Sequence, residues 1–186
     1  MNKKIVIFIS GKGSNAKNLI NYFSDNKELI ISHVFSNNKH SDLNSYLLNT
    51  KIQYFLFDEK EISGKVFDEL KKINPKLIIL AGFLKKIPPS YLSFFKNKII
   101  NIHPSLLPKY GGKGMYGSNI HKKVIQNKES ESGITIHYVS KEDDAGKIIF
   151  QKKIKVDKND TPKKLEEKIH KLEYEYFPKI VESLLT

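Results

Sequence analysis

Short apolar runs alternate with stretches in which apolar residues return every three or four positions. Ile5-Val6-Ile7-Phe8-Ile9 is uninterrupted and mostly β-branched, the pattern of a strand covered on both faces. Leu19, Ile20, Tyr22 and Phe23 follow at helical spacing, and Ile30 to Phe35 predicts a second strand. Ser41-Asp42 can cap a helix through Leu43, Tyr46 and Leu47, and Gln53 to Phe57 predicts a short third strand. Val66, Leu70 and Ile73 mark a helix that stops before Asn74-Pro75, because the residue ahead of proline is disfavoured in helical geometry. Leu77 to Ala81 and Lys98 to His103 are the fourth and fifth buried strands. Strands alternating with helices predict a Rossmann-like, doubly wound α/β fold, with a mostly parallel sheet and helices on both faces.

After residue 103 the pattern changes. Lys109 to Ser118 is a glycine-rich loop, and Ile120, Val124 and Ile125 suggest a short helix. Gly133 to Val139 alternates, with Thr135 and His137 on one face and Ile134, Ile136 and Tyr138 on the other. Lys147 to Val156 reads as a further strand, so an antiparallel C-terminal extension is expected. Asp160-Thr161-Pro162 opens a final helix with an apolar stripe of Leu165, Ile169, Leu172, Tyr176, Ile180 and Leu184, kinked at Pro178. With no repeat, low-complexity tract or linker, the 186 residues are expected to form a single domain.

Composition narrows the chemistry. The absence of cysteine excludes disulfides and thiolate metal sites, and no His, Asp or Glu cluster has metal-ligand spacing, so no metal is expected. The run Ile5 to Ile9 is too short for a signal peptide or a bilayer span, which makes a cytoplasmic protein without membrane contact the expectation. A net charge of +12 invites a nucleic-acid reading. All 32 basic residues are lysine, however, whereas base and phosphate readout favours the bidentate arginine fork. Lys152, Lys153 and Lys155, and Lys163, Lys164 and Lys168, are solvated faces in this reading, and anionic small molecules are the expected partners rather than nucleic acid. A basic nucleotide- or RNA-binding module without catalysis is the non-enzyme alternative, and salt-dependent retention on RNA would be its sign.

Two segments carry candidate chemistry. In Ile99-Ile100-Asn101-Ile102-His103-Pro104-Ser105-Leu106-Leu107-Pro108, an amide and an imidazole two residues apart share one strand face, and Pro104 forces the chain out of the sheet. A polar pair at the carboxyl edge of a buried strand is where open α/β sheets place ligand chemistry; a capping Asn and a packed His are the alternative. Gly11-x-Gly13-x-x-Ala16 lies between a strand and a helix, where backbone N–H groups, Ser14 and Asn15 can hold a phosphate. The second strand ends Phe35-Ser36-Asn37-Asn38 without the carboxylate that a dinucleotide ribose needs. The loop therefore reads as a cradle for a phosphate monoester, with a plain tight turn as the alternative.

Ser10-Gly11-Lys12-Gly13-Ser14-Asn15, Leu80-Ala81-Gly82-Phe83, the Asn101 to Pro108 segment and Asp144-Ala145-Gly146 together resemble the folate-dependent formyltransferases. Within them, the glycine loop points to the phosphoribosylglycinamide formyltransferase branch, and the resemblance runs from Ile5 to about Leu185. It implies formyl transfer from 10-formyltetrahydrofolate, a co-substrate, to the amine of glycinamide ribonucleotide in purine biosynthesis. It also implies a nucleotide-binding half over about residues 1–100, a catalytic and folate-binding half over about 101–186, and a monomer or homodimer. Carried over by position, Asn101 donates to the oxyanion, His103 is proton donor and electrostatic stabiliser, and Asp144 raises the His103 pKa and helps relay the amine proton. Gly13, Ser14 and Asn15 match the ribonucleotide-phosphate loop, and Glu173 matches the acidic residue that contacts the ribonucleotide. Leu84, Lys85, Lys86 and Ile87 match the segment lining the folate pocket. Ser140, Lys141, Glu142, Asp143 and Asp144 match the loop over the pterin, and Asn101 also faces the folate.

The chain departs from the family pattern in places. Gly111-Gly112-Lys113-Gly114-Met115-Tyr116-Gly117 is longer than the usual turn and suggests a mobile lid. Asn119 stands where a histidine is common, while His121 is retained. Adjacent Asp143 and Asp144 leave the catalytic carboxylate ambiguous, and Asp144 is preferred because it lies two residues before Gly146. The usual folate-contacting arginine is missing, with Lys65 a weak substitute for the glutamate tail. His137 is either a site residue or a structural histidine; His33, His40 and His170 read as surface or packing residues. Methionyl-tRNA formyltransferase, with an added C-terminal RNA-binding domain, and formyltetrahydrofolate deformylase, with an N-terminal regulatory domain, are the alternatives within the family.

Overall fold

The computed structural model describes residues 2–186. Seven strands form one sheet in the order β3-β2-β1-β4-β5-β6-β7. They are β1 (Lys3–Ile9), β2 (Leu29–Ser36), β3 (Gln53–Leu56), β4 (Leu77–Leu80), β5 (Ile99–His103), β6 (Glu131–Tyr138) and β7 (Ile148–Lys155). The helices are α1 (Ser14–Tyr22), α2 (Leu43–Leu47), α3 (Phe67–Ile73), α4 (Pro89–Phe94), α5 (Ser118–Gln126) and α6 (Pro162–Ser183). Pairings β1–β2, β1–β4 and β2–β3 are parallel and β6–β7 is antiparallel. This is the mixed α/β sheet that the alternation of periods predicts. The chain packs as two compact units, one running to Ile100 and taking in Val181–Thr186, the other comprising Asn101–Ile180.

In the first unit, β1 lies between β2 and β4, and Ile5 to Ile9 are all at 0% exposure, which accounts for their unbroken apolar run. Each such side chain, buried from water, contributes about 1.5–3 kcal/mol. Phe8 stacks on Phe35 at 5.0 Å and meets Phe83 edge-on at 5.3 Å. The sequence predicts no helix between β4 and β5, yet α4 forms there. Pro89 occupies its first turn, where the missing N–H costs nothing, and the buried Tyr91 hydroxyl donates to the Ile62 carbonyl at 2.6 Å. The C-terminal residues of this unit are tied in by the Tyr22 hydroxyl, which donates to Glu182 at 2.7 Å.

In the second unit, β6 carries a register shift between Ile136 and His137. Gly146 packs so closely on the Tyr138 carbonyl that a Cβ there would overlap the oxygen, so only glycine closes the connection between β6 and β7. Helix α6 runs on through Pro178. Its buried face is Leu165, Ile169, Glu173, Phe177 and Val181, whereas Leu172, Tyr176, Ile180 and Leu184 are half-buried. The predicted stripe is thus rotated by one residue beyond Ile169. A carboxylate on the buried face hides that face from any apolar pattern.

Candidate active site

Alternation along β5 buries Ile100 and Ile102 and puts Asn101 and His103 on one face, as their spacing predicts. Beyond Pro104 the chain leaves the strand, and its backbone polar groups need partners. Thr135 on β6 supplies them: its hydroxyl donates to the Ser105 carbonyl at 2.6 Å and accepts from the Leu107 N–H at 3.0 Å. The Gln151 amide donates to both the Leu107 carbonyl and the Thr135 oxygen at 2.9 Å, and the Ser105 hydroxyl donates to the Lys109 carbonyl at 2.7 Å. The segment that carries His103 is thereby fixed from two neighbouring strands.

His103 is 4% exposed, and its Nε2 lies 2.7 Å from the Tyr110 carbonyl oxygen. A carbonyl only accepts, so Nε2 bears a hydrogen. Nδ1 faces Asp144 Oδ1 at 3.5 Å. A neutral ring turns a lone pair toward that carboxylate; an imidazolium turns an N–H toward it, so the contact favours the charged ring. Burial opposes this and prevails: it holds His103 below its ordinary pKa, with the Asp144 charge and the Tyr110 carbonyl pulling the other way. The expected influence of Asp144 is present in sign but is outweighed, and the resting ring is neutral near pH 7.

Asp144, not Asp143, is the carboxylate at the histidine; Lys141, Glu142 and Asp143 are exposed, and the Ser140 hydroxyl donates to the Glu142 carbonyl at 2.8 Å. Asp144 Oδ2 accepts from the Gly112 N–H at 2.9 Å, which ties the glycine-rich loop to the site. Burial pushes the Asp144 carboxyl up, but the neighbouring His137 and His103 rings and the Gly112 N–H outweigh it and keep the group below the usual value, hence ionised. His137 is 2% exposed and belongs to the same constellation. Its Nδ1 donates to the Tyr138 carbonyl at 2.9 Å, so its Nε2 accepts from the Asn101 amide at 3.1 Å, 3.6 Å from Asp144 Oδ1. Thr135 and His137 sharing a face of β6 was the only sequence sign of this; Gln151, the Tyr110 carbonyl and the Gly112 N–H had none.

Glu173 is buried on α6 and accepts from His170 Nδ1 at 2.8 Å. That hydrogen bond raises the His170 pKa, so His170 is an ion-pair partner as well as a packing residue. The Glu173 charge also reaches His103 and His121. His121, on α5, is 2% exposed, its Nδ1 has no hydrogen-bond partner among the described residues, and burial lowers its pKa.

The remaining predicted residues lie in the first unit. Gly13, with a left-handed φ of 77°, caps α1, followed by exposed Ser14 and buried Asn15. The first turn of α1 holds no acidic residue, and a helix start of this kind favours an anion. Leu84, Lys85 and Lys86 are exposed and Ile87 is buried; Lys85 pairs with Glu59 at 2.6 Å. Lys65 pairs with Glu61 at 3.5 Å and sits 5.3 Å from the centroid of the Phe55 ring. Among the described residues there is no cluster fit to hold a metal and no helix long and apolar enough to cross a membrane.

An amide, a buried imidazole and an ionised carboxylate thus meet beside the carboxyl end of β5, and groups of these kinds are what acyl transfer needs for an oxyanion and for proton movement. Known proteins narrow the class. Residues 3–181 match the formyl transferase family, and the chain belongs to that family. It is 32% identical to the phosphoribosylglycinamide formyltransferase of Bacillus subtilis, over 98% of this chain and 95% of that protein. Identity to the chloroplastic phosphoribosylglycinamide formyltransferase of Arabidopsis thaliana is 34% over 96% of the chain. The chain spans 64% of the length of that plant relative and 61% of one from Vigna unguiculata. Among solved structures, glycinamide ribonucleotide transformylase 1 from Geobacillus kaustophilus superposes with a TM-score of 0.90 at 27% identity, over 100% of both chains.

Proposed function

We propose that the protein transfers the formyl group of 10-formyltetrahydrofolate to the amine of N1-(5-phospho-D-ribosyl)glycinamide, a step of de novo purine synthesis. The observation that carries this reading is the buried His103 with ionised Asp144 at 3.5 Å from Nδ1 and Asn101 on the same strand face.

In this reading the amine nitrogen bonds to the formyl carbon and the bond from that carbon to the folate nitrogen breaks. The amine loses a proton and the leaving nitrogen gains one. Asn101 has one amide hydrogen on His137 Nε2, which orients the group, and the other serves the oxyanion. His103 enters neutral and takes a proton at Nδ1, where the Asp144 charge favours the imidazolium. The charged ring then stabilises the oxyanion and returns the proton to the leaving nitrogen. Gly13, Ser14 and Asn15 receive the phosphate at the start of α1, and Glu173 contacts the ribonucleotide. Leu84 to Ile87, Asn101 and Ser140 to Asp144 receive the folate. Lys65, already engaged by Glu61, is at most a peripheral contact for the glutamate tail.

Absorbance-monitored turnover of a 10-formyltetrahydrofolate analogue, with and without the ribonucleotide, tests the reading. Turnover that requires the ribonucleotide supports it. Folate release without the ribonucleotide would identify a deformylase, and no reaction in either case would overturn an enzymatic reading of these substrates.

A further inference from the structure

β1 and β4 run parallel in register, Phe8 beside Leu80, and the Ala81 N–H donates to the Phe8 carbonyl at 2.9 Å. The pairing continues past the strands, with the Ser10 N–H donating to the Gly82 carbonyl at 3.1 Å. Gly82 then adopts a left-handed φ of 73° and turns the chain away from the ladder. At that point a side chain takes over from the backbone: the Leu84 N–H donates to the Ser10 hydroxyl oxygen at 2.9 Å. Burial holds the two ends of the arc that follows but not its middle. Phe83 and Ile87 are 8% and 5% exposed, whereas Leu84 between them is 55% exposed and Lys85 and Lys86 are also exposed. Between those buried ends the exposed stretch is tied by the Lys85–Glu59 ion pair and, at Leu84, by a hydroxyl that belongs to the glycine-loop motif.

We propose that Ser10, although it opens the phosphate loop, is a positioning residue for the folate: its hydroxyl oxygen sets the Leu84 amide and with it the segment 84–87. The proposal rests on reading 84–87 as folate-lining. Ser10 serves one substrate while Gly13, Ser14 and Asn15, a few residues on, serve the other.

Steady-state formyl transfer by Ser10→Ala and Ser10→Thr, with each substrate varied in turn, separates the two roles. Losing one hydrogen bond raises the folate KM about 5- to 10-fold in Ser10→Ala, with the ribonucleotide KM unchanged within about twofold. Ser10→Thr, which keeps the hydroxyl, restores the folate KM. An unchanged folate KM, or a ribonucleotide KM that rises as much, overturns the proposal. If Ser10→Ala does not fold, Ser10→Cys, with a weaker acceptor of similar size, is read the same way. Amide NMR of the wild-type chain titrated with tetrahydrofolate checks the underlying assignment. Shifts at Leu84 to Ile87 without a KM effect refute the role of Ser10 alone; no shifts there refute the folate assignment and the proposal with it.

Discussion

Thr135→Val isolates what holds the segment that follows His103. Thr135 is at 0% exposure, and its hydroxyl is bonded to the Ser105 carbonyl, the Leu107 N–H and the Gln151 amide. Valine fills the same volume, so packing is conserved and only the hydroxyl is lost. Gln151 keeps its bond to the Leu107 carbonyl, but the Ser105 carbonyl and Leu107 N–H lose their partner. Each buried polar group left unsatisfied costs about 1–3 kcal/mol, so the pair costs about 2–6 kcal/mol. For a chain of this length that is a fall in melting temperature of roughly 4–24 °C. Urea unfolding should show an earlier midpoint with the same slope, since the surface exposed on unfolding does not change. Thr135→Ser keeps the hydroxyl, removes one methyl, and should cost about 1 kcal/mol. If Thr135→Val costs less than Thr135→Ser, the hydroxyl is not what fixes residues 105–107. Because those residues follow His103 directly, turnover should fall alongside stability.

Four other outcomes follow from the same geometry. Asp144→Asn removes the charge that offsets burial at His103, so NMR titration should find the His103 pKa lower still and turnover down at least ~100-fold; an unmoved pKa would disprove the coupling. Ser14→Ala should raise the ribonucleotide KM and spare the folate KM, and the reverse would reject the phosphate-loop assignment. Gly146→Ala forces a Cβ onto the Tyr138 carbonyl and should destabilise by about 3 kcal/mol or more, so wild-type unfolding behaviour would contradict the close approach. His103 and His121 both have pKa values lowered by burial, so below about 6.5 the unfolded chain binds more protons. Their contribution is therefore complete above that pH and is lost as pH falls through the folded values; His121→Phe should show a shallower acid loss of stability than the wild-type chain, and an equal loss would exclude His121 as a source.

Much of the architecture is legible because burial imposes period. The run Ile5 to Ile9 could only be a strand covered on both faces, and Asn101 and His103 share a face for the same geometric reason. Helix α4 was hidden because it is short and begins with two prolines, and what fixes it is the Tyr91 hydroxyl reaching Ile62. The stripe on α6 was misplaced because its middle position is Glu173, a buried carboxylate that no apolar pattern contains. At the site, residue types announced the Asn–His pair, but the choice between Asp143 and Asp144 needed the turn geometry. Backbone partners such as the Tyr110 carbonyl and the Gly112 N–H carry no sequence mark at all, although they decide which nitrogen of His103 bears the hydrogen and where Asp144 points. The net effect of burial on His103 was likewise invisible until its 4% exposure was known.

The decisive comparison is single-turnover formyl transfer by the wild-type chain and by His103→Ala, both substrates saturating, with tetrahydrofolate affinity measured in parallel. If Nδ1 of His103 carries the proton beside Asp144, the rate falls at least ~100-fold while folate affinity stays within about threefold. A His103→Ala protein that transfers formyl within about fivefold of the wild-type rate would contradict that role for the histidine.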